Sequence, residues 1–304
     1  MSVIFIFIDG IGIGENEDVN PLADSDLKSF SWFTGSNGVH KQCEPVIKPT
    51  VLYKPVDANL NVDGLPQSGT GQTTLFSGQN ASKLIGRHFG PFPHSQTKHL
   101  LEKESLFHKV TELGKSPAFM NAYPDIFFDR AEKRDRWSAT TLMAKSSGVK
   151  LNRVEDLMEG NAVTAEIRQN VWRESLGIDV PVITEETAAN RVIRAAKNND
   201  LILYEFYLTD KAGHSMDRTF TDEVLSVLDK FLISLIHNMN EKDTLVICTD
   251  HGNIEDLSIK THTRNPVPLF VKGDTKPFQN AESIMDVMPG ILEVFNQDIS
   301  HRFC

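Results

Sequence analysis

Residues 3–8, VIFIFI, form an unbroken β-branched and aromatic run that stops at Asp9 and gives way to GIGIG. A strand apolar on both faces belongs in a parallel sheet covered by helices. Three later stretches read as helix, break, strand. In 103–122 (KESLFHKVTELGKSPAFMNA) the break is a Gly cap. In 185–208 (EETAANRVIRAAKNNDLILYEFYL) it is Asn-Asn-Asp, and in 222–249 a polar turn before TLVICT. Helices alternating with strands at this spacing predict βαβ units and a mainly parallel sheet. Near the end, VPLFVKG (267–273) predicts a short strand and SIMDVMPGILEVF (283–295) a helix.

The stretch 125–182 departs from this rhythm. It carries RAEKRDRW, then two helix-like segments around 138–147 and 154–176, with few strand signals. The expected architecture is α/β, a mainly parallel central sheet sandwiched by helices. Residues 1–124 and 183–304 form its core, and 125–182 a small, mostly helical inserted cap or lid. The Gly-rich turn after VIFIFI does not predict a dinucleotide site. That site needs GxGxxG leading straight into a helix, and ENEDVNP follows here.

Forty per cent hydrophobic and 24% charged residues over 304 positions are ordinary for a soluble globular protein. The net charge of −10, from 31 basic and 41 acidic residues, argues against a nucleic-acid partner. It leaves room for a small phosphorylated substrate if bound cations supply positive charge locally. Cys43, Cys248 and Cys304 are odd in number and show no CxxC spacing, so reduced thiols are expected. The N-terminal run lacks a basic n-region and ends too early for a signal peptide. No run approaches the ~20 apolar residues of a membrane span. A cytoplasmic setting without a membrane partner is expected.

The chemistry sits where the predicted strands end. Asp9 follows VIFIFI; Asp210 follows LILYEFYL, with His214 four residues on; Asp250 and His251 follow TLVICT; His262 stands shortly before VPLFV. Parallel strands bring their carboxyl ends to one edge, where ligands of open α/β sheets bind. One Asp after a strand is ordinarily a turn or cap residue. Three carboxylates and three imidazoles gathered together would repel or go unsatisfied without cations. Oxygen and imidazole donors suit two divalent ions, Zn²⁺ or Mn²⁺. The stretch GLPQSGTGQTTLFSGQNA (64–81) runs small and hydroxyl residues into a helix start, where backbone N–H groups favour a phosphate.

These pieces resemble the alkaline phosphatase superfamily, and within it the cofactor-independent phosphoglycerate mutase and phosphopentomutase branch. IFIDGIGIG (4–12), YLTDKAGHSMD (207–217), ICTDHGNIED (247–256) and HTRNPVPLFV (262–271) carry the likeness. The resemblance implies Asp210, His214 and His262 as ligands of one metal, and Asp9, Asp250 and His251 as ligands of the other. It also implies a nucleophile opening the pattern Ser-x-x-Gly-x-x-x-x-x-x-Gly. Here that is SGTGQTTLFSG, which points to Ser68, bridging or ligating the second metal, with Thr70 as runner-up. Two departures stand out: Gln72 replaces the mutase His after Gly71, and no large cap follows the nucleophile helix. In that layout the chain also resembles nucleotide pyrophosphatase/phosphodiesterase relatives. Sulfatases fit less well, because Ser68 replaces their Cys and no CxPSR follows.

The resemblance therefore implies a metal-dependent phosphatase or phosphodiesterase working through a phosphoserine. A phosphomutase on a small phosphosugar or phosphoglycerate is the alternative, and a non-catalytic metal-binding member of the fold is a third. Arg130, Lys133, Arg134 and Arg136 of the insert, with Arg87, His88 and Arg264 of the core, are the candidates for recognising the substrate's distal charge.

Overall fold

The computed structural model describes residues 1–23 and 26–302. A seven-stranded sheet organises it: β1 (Val3–Ile8), β2 (Val46–Ile47), β3 (Val51–Val56), β4 (Pro117–Phe119), β5 (Leu201–Phe206), β6 (Thr244–Cys248) and β7 (Val267–Lys272), in the order β2-β3-β7-β6-β1-β5-β4. β4, β5, β1 and β6 run parallel. β7 is antiparallel to β6, β3 to β7 and β2 to β3. The expected α/β sandwich is thus present, with a parallel centre and an antiparallel flank. Because β7 runs backwards, the chain enters it from the edge where β1, β5 and β6 end.

Alternation along β1 builds two cores. Val3, Phe5 and Phe7 pack on one face of the sheet, and Ile4, Ile6 and Ile8 on the other. The first face is covered by α2 (Ser68–Ser77), α4 (Lys98–Lys103), α5 (Leu106–Glu112) and α13 (Val287–Arg302), with the short α3 (Ala81–Ile85) beside α2. The second is covered by α1 (Lys28–Thr34), α10 (Glu185–Ala196) and α12 (Arg218–Asn238). The short α11 (Leu208–Ser215) leads from β5 to α12.

Between β4 and α10 come α6 (Asp125–Arg134), α7 (Ala139–Ser146), α8 (Val154–Met158) and α9 (Asn170–Glu174). The helix expected over 138–147 is α7. The one expected over 154–176 is broken into α8 and α9, because Gly160, Ile167 and Gln169 adopt positive φ between them. Phe128, Trp137, Leu142 and Met143 join the first core, whereas Leu157, Ala162, Trp172 and Val180 form a small cluster of their own. Cys43 and Cys248 are free and buried, and burial pushes the Cys248 thiol up to about 12. Cys304 lies outside the described residues. Among the described residues no helix is long and apolar enough to cross a membrane.

Candidate metal centre

The carboxyl edge of the sheet collects the side chains expected there. Asp9 leaves β1; Asp250 and His251 leave β6 one residue beyond Thr249; Asp210 sits in the first turn of α11; His262 lies in the loop entering β7. Ligand atoms of Asp9, Asp250 and His251 lie within 4.8 Å of one another, as do those of Asp210, His251 and His262. His251 belongs to both groups. His214 completes the second, its Nε2 3.2 Å from His262 Nε2 and 3.4 Å from Asp210 Oδ2. The six expected ligands thus form one continuous cluster, and the His251 and His262 rings stack at 3.8 Å.

Each imidazole is oriented from behind. Nδ1 of His214 faces the Lys260 carbonyl at 2.7 Å, Nδ1 of His262 the Pro66 carbonyl at 2.7 Å, and Nδ1 of His251 the Gly252 carbonyl at 3.4 Å. A ring that donates from Nδ1 presents its Nε2 lone pair, the arrangement used by metal-binding histidines. Asp9 Oδ1 and Asp250 Oδ2 are buried without a hydrogen-bond partner. Orphaned carboxylate oxygens at this depth are costly unless a cation meets them. Burial, then the charges of Asp9 and Asp210, push the Asp250 carboxyl well up. Burial acts the same way on Asp210. There the His262 hydrogen bond, the charge of His251 and the Asn253 amide outweigh it, holding Asp210 at about 2. The donors fit divalent metal ions in chemistry, orientation and unmet bonding.

Ser68 is the first residue of α2, and its Oγ lies 3.0 Å from His251 Nε2. Thr70 is fully buried, and its hydroxyl serves the backbone: it donates to Gln67 O and accepts from Phe89 N. The loop 89–92 also accepts from Thr70 N and packs so closely that a Cβ on Gly69 would lie 2.2 Å from Phe92 O. The helix start is therefore seated on a loop, with Ser68 turned to the cluster. Gln72, where the mutases carry His, donates to Asp9 Oδ2 at 3.2 Å and leaves Oδ1 facing the cluster.

The other candidates lie around this centre. The Arg87 and Arg136 guanidinium groups are exposed and rest over Phe89 and Phe92 at 5.6 and 4.8 Å, flanking the loop that seats α2. Arg264, two residues past His262, is exposed and donates to Gly64 O at 3.0 Å. His88 has both ring nitrogens engaged, with Ser82 Oγ and Val62 O, and burial lowers its pKa. Arg130, Lys133 and Arg134 are exposed on α6.

Three contributors escaped the sequence reading. Glu255 is buried; its Oε2 accepts from Gly12 N and Asn253 N, and its Oε1 from Thr263 Oγ1 and Asn265 Nδ2. One carboxylate thus ties together the three loops that carry Asp9, His251 and His262. A Cβ on Gly12 would lie 2.1 Å from Glu255 Oε1, which explains the glycine. Asn253 reaches from the same loop to Asp210 Oδ1 at 2.7 Å. Glu205, near the end of β5, is buried beside Thr140, whose hydroxyl donates to it, and feels the charge of Asp9. Its only signal in the sequence was an acid inside an apolar strand.

The Metalloenzyme superfamily model matches residues 1–299. The chain belongs to the Metalloenzyme superfamily. It is similar to the phosphopentomutase of Helicobacter pylori strain Shi470, 34% identical over 99 residues that make up 31% of this chain and 24% of that protein. It is also similar to the 2,3-bisphosphoglycerate-independent phosphoglycerate mutase of Staphylococcus saprophyticus, 32% identical over 106 residues, 33% of this chain and 21% of that one. The match therefore spans about a quarter of each relative's length. Among solved structures, the PH0037 protein from Pyrococcus horikoshii superposes with a TM-score of 0.58 at 14% identity, over 97% of each chain. The alkaline phosphatase of the Antarctic bacterium TAB5 does so with a TM-score of 0.55 at 10% identity, over 97% of each chain. These likenesses show an alkaline-phosphatase-like fold, and the superfamily and branch read from the motifs are borne out.

Proposed function

We propose that the chain is a metal-dependent phosphoryl-transfer enzyme, a phosphatase or phosphodiesterase that works through a phosphoserine on Ser68. The observation that carries this reading is Ser68 Oγ at the first position of α2, 3.0 Å from an imidazole shared by both ligand groups. Asp9, Asp250, His251 and Ser68 would hold one divalent cation, and Asp210, His214 and His262 a second, Mn²⁺ or Zn²⁺. Such cations supply neutralising charge for phosphoryl oxygens and favour the ionised form of a nearby hydroxyl.

The chain's own part follows from its geometry. Ser68 oxygen forms a bond to phosphorus as the substrate's ester oxygen departs with the bonding pair. The dipole of α2 favours the developing negative charge and the phosphoserine. Water then takes the phosphoryl group and restores the hydroxyl. Asp210 and His214 keep 20% and 40% of their side-chain surface open, so water has access to this edge. That openness favours hydrolysis. The segment 125–182 would border the site as a cap, with Arg134, Arg136, Arg87 and Arg264 meeting the far end of a small phosphorylated substrate and His88 supporting them.

Phosphomutase activity is the second reading, favoured by the similarity to a phosphopentomutase and a phosphoglycerate mutase. Incubating the Mn²⁺- or Zn²⁺-loaded chain with phosphomonoesters, phosphodiesters and phosphosugars, followed by ³¹P NMR, separates the two. Free phosphate or a cleaved diester supports the hydrolase. Phosphate moving between hydroxyls without release replaces that reading with the mutase. Two bound metals and no turnover of any substrate would leave the non-catalytic alternative.

A further inference from the structure

Along the edge strand β4, at the corner of the sheet where β4 and β5 begin, lies an open cavity of about 420 Å³. Its floor is the edge strand β4, with Ala118 and Phe119, and its walls carry Arg191, Arg194 and Lys150 together with Asn198. No Asp or Glu lines it among the described residues, on a chain of net charge −10.

Arg191 is only 9% exposed, yet it has no carboxylate within 4.0 Å among the described residues. Its Nη1 donates to Leu157 O, Ala162 O and Gln169 Oε1 at 3.1, 2.9 and 3.0 Å, all neutral acceptors. Nε and Nη2 have no protein acceptor among the described residues. Arg194 follows three positions later on α10 and donates to Gly160 O. A Cβ on Gly160 would lie 3.3 Å from Arg194 Nη2 and 3.5 Å from Arg191 Nε, so both guanidinium groups press on the same point of backbone. Burial, then the charge of Arg194, lowers the pKa of Arg191. A nearby arginine with a structural task is treated differently: Arg168 pairs with Glu185.

Like charges three positions apart on a helix repel, and a buried cation without a counter-charge is costly. An anion would resolve both. Lys150 is already paired with Asp156, so the two guanidinium forks of α10 are the groups left for an anion. Two forks suit the tetrahedral oxygens of a phosphoryl group better than one flat carboxylate. The cavity volume lies in the range of small-ligand sites, and its apolar floor can carry an organic body.

We propose that this cavity binds a small phosphorylated molecule, its phosphoryl dianion between Arg191 and Arg194 and its remainder over β4. The site does not depend on the reaction assigned to the metal centre. The test is calorimetric titration of the metal-loaded full chain with inorganic phosphate and with phenylphosphonate, which cannot be hydrolysed, at fixed ionic strength. Wild type, Asp210→Asn, Arg194→Ala and Arg191→Lys are compared, with thermal unfolding recorded for each. The expected result is a binding event that survives Asp210→Asn and weakens at least about tenfold in Arg194→Ala. Turnover of Arg194→Ala should match wild type. Arg191→Lys loses the fork and should weaken the same event; because it also gives up the bonds to Leu157 O, Ala162 O and Gln169 Oε1 it should lower the unfolding temperature, so Arg194→Ala carries the test. Loss of all binding in Asp210→Asn, binding unchanged by Arg194→Ala, or equal displacement by chloride would overturn the proposal.

Discussion

Nε2 of His214 and Nε2 of His262 face each other at 3.2 Å, although one residue stands in the last turn of α11 and the other in the loop entering β7, and each ring is tied back by its Nδ1. Two imidazole nitrogens held this way beside the Asp210 carboxylate ask for a cation between them. Chelation should therefore destabilise the fold as well as stop turnover. Binding at a thousand times Kd contributes about 4 kcal/mol, so the unfolding temperature should fall by several degrees and recover on adding Mn²⁺ or Zn²⁺. An unfolding temperature indifferent to chelator would contradict the metal assignment.

Ser68 and Thr70 can be separated cleanly. Ser68→Ala should lower turnover by ~10³-fold or more while the metal content stays at the wild-type value. Thr70→Ala strands the buried Phe89 N–H, costing about 1–2 kcal/mol in denaturant unfolding, but should keep its turnover. The opposite pattern in activity assays would transfer the nucleophile to Thr70.

Glu255→Gln tests the tie between the three ligand loops. The amide oxygen can still serve Gly12 N and Asn253 N, but its NH₂ would then face the Asn265 Nδ2 donor, and the reverse orientation would face both backbone N–H groups. A loss of roughly 2–4 kcal/mol is expected, with weaker metal retention during dialysis. Wild-type stability and metal content in this variant would show that the loops hold themselves.

Glu205 gives a pH signature in the metal-free chain. Burial, opposed by the Thr140 hydrogen bond and reinforced by the charge of Asp9, pushes its carboxyl from 4.5 up to about 7. Below 4.5 both the folded and unfolded forms are protonated, and the contribution is complete. As pH rises toward 7 the unfolded chain ionises first, so stability is lost, and above 7 the loss is constant. The shift corresponds to a ceiling of about 3 kcal/mol. Glu205→Gln should match wild type at pH 4.5 and exceed it at pH 8 in urea unfolding. Parallel pH profiles for the two proteins would show that Glu205 carries no such shift.

The cluster was legible because its ligands end strands, and a parallel centre sends those ends to one edge. His262 was legible only as a motif, since it precedes its strand; the antiparallel run of β7 is what delivers it. β3, VLYKPV, escaped because Lys54 and Pro55 interrupt its apolar pattern and the strand that joins it to the rest of the sheet, β7, lies more than two hundred residues away. Glu255 and Asn253 escaped for another reason. Their work is done by hydrogen bonds between loops, which leave no periodicity. The positive φ of Ile167 and Gln169, which splits the helix expected over 154–176, is equally silent, because neither residue type advertises it.

β1 is an interior strand, and its neighbours in the sheet are residues 201–206 and 244–248. VIFIFI is thus synthesised about 200 and 240 residues ahead of its two pairing partners. At typical elongation rates of ~5–20 residues per second, that is a wait of roughly 10 to 50 s. An unpaired, uncharged strand of this composition is prone to aggregate in the interval. The order of synthesis thus leaves a strand that is wholly buried in the finished protein exposed in the nascent chain.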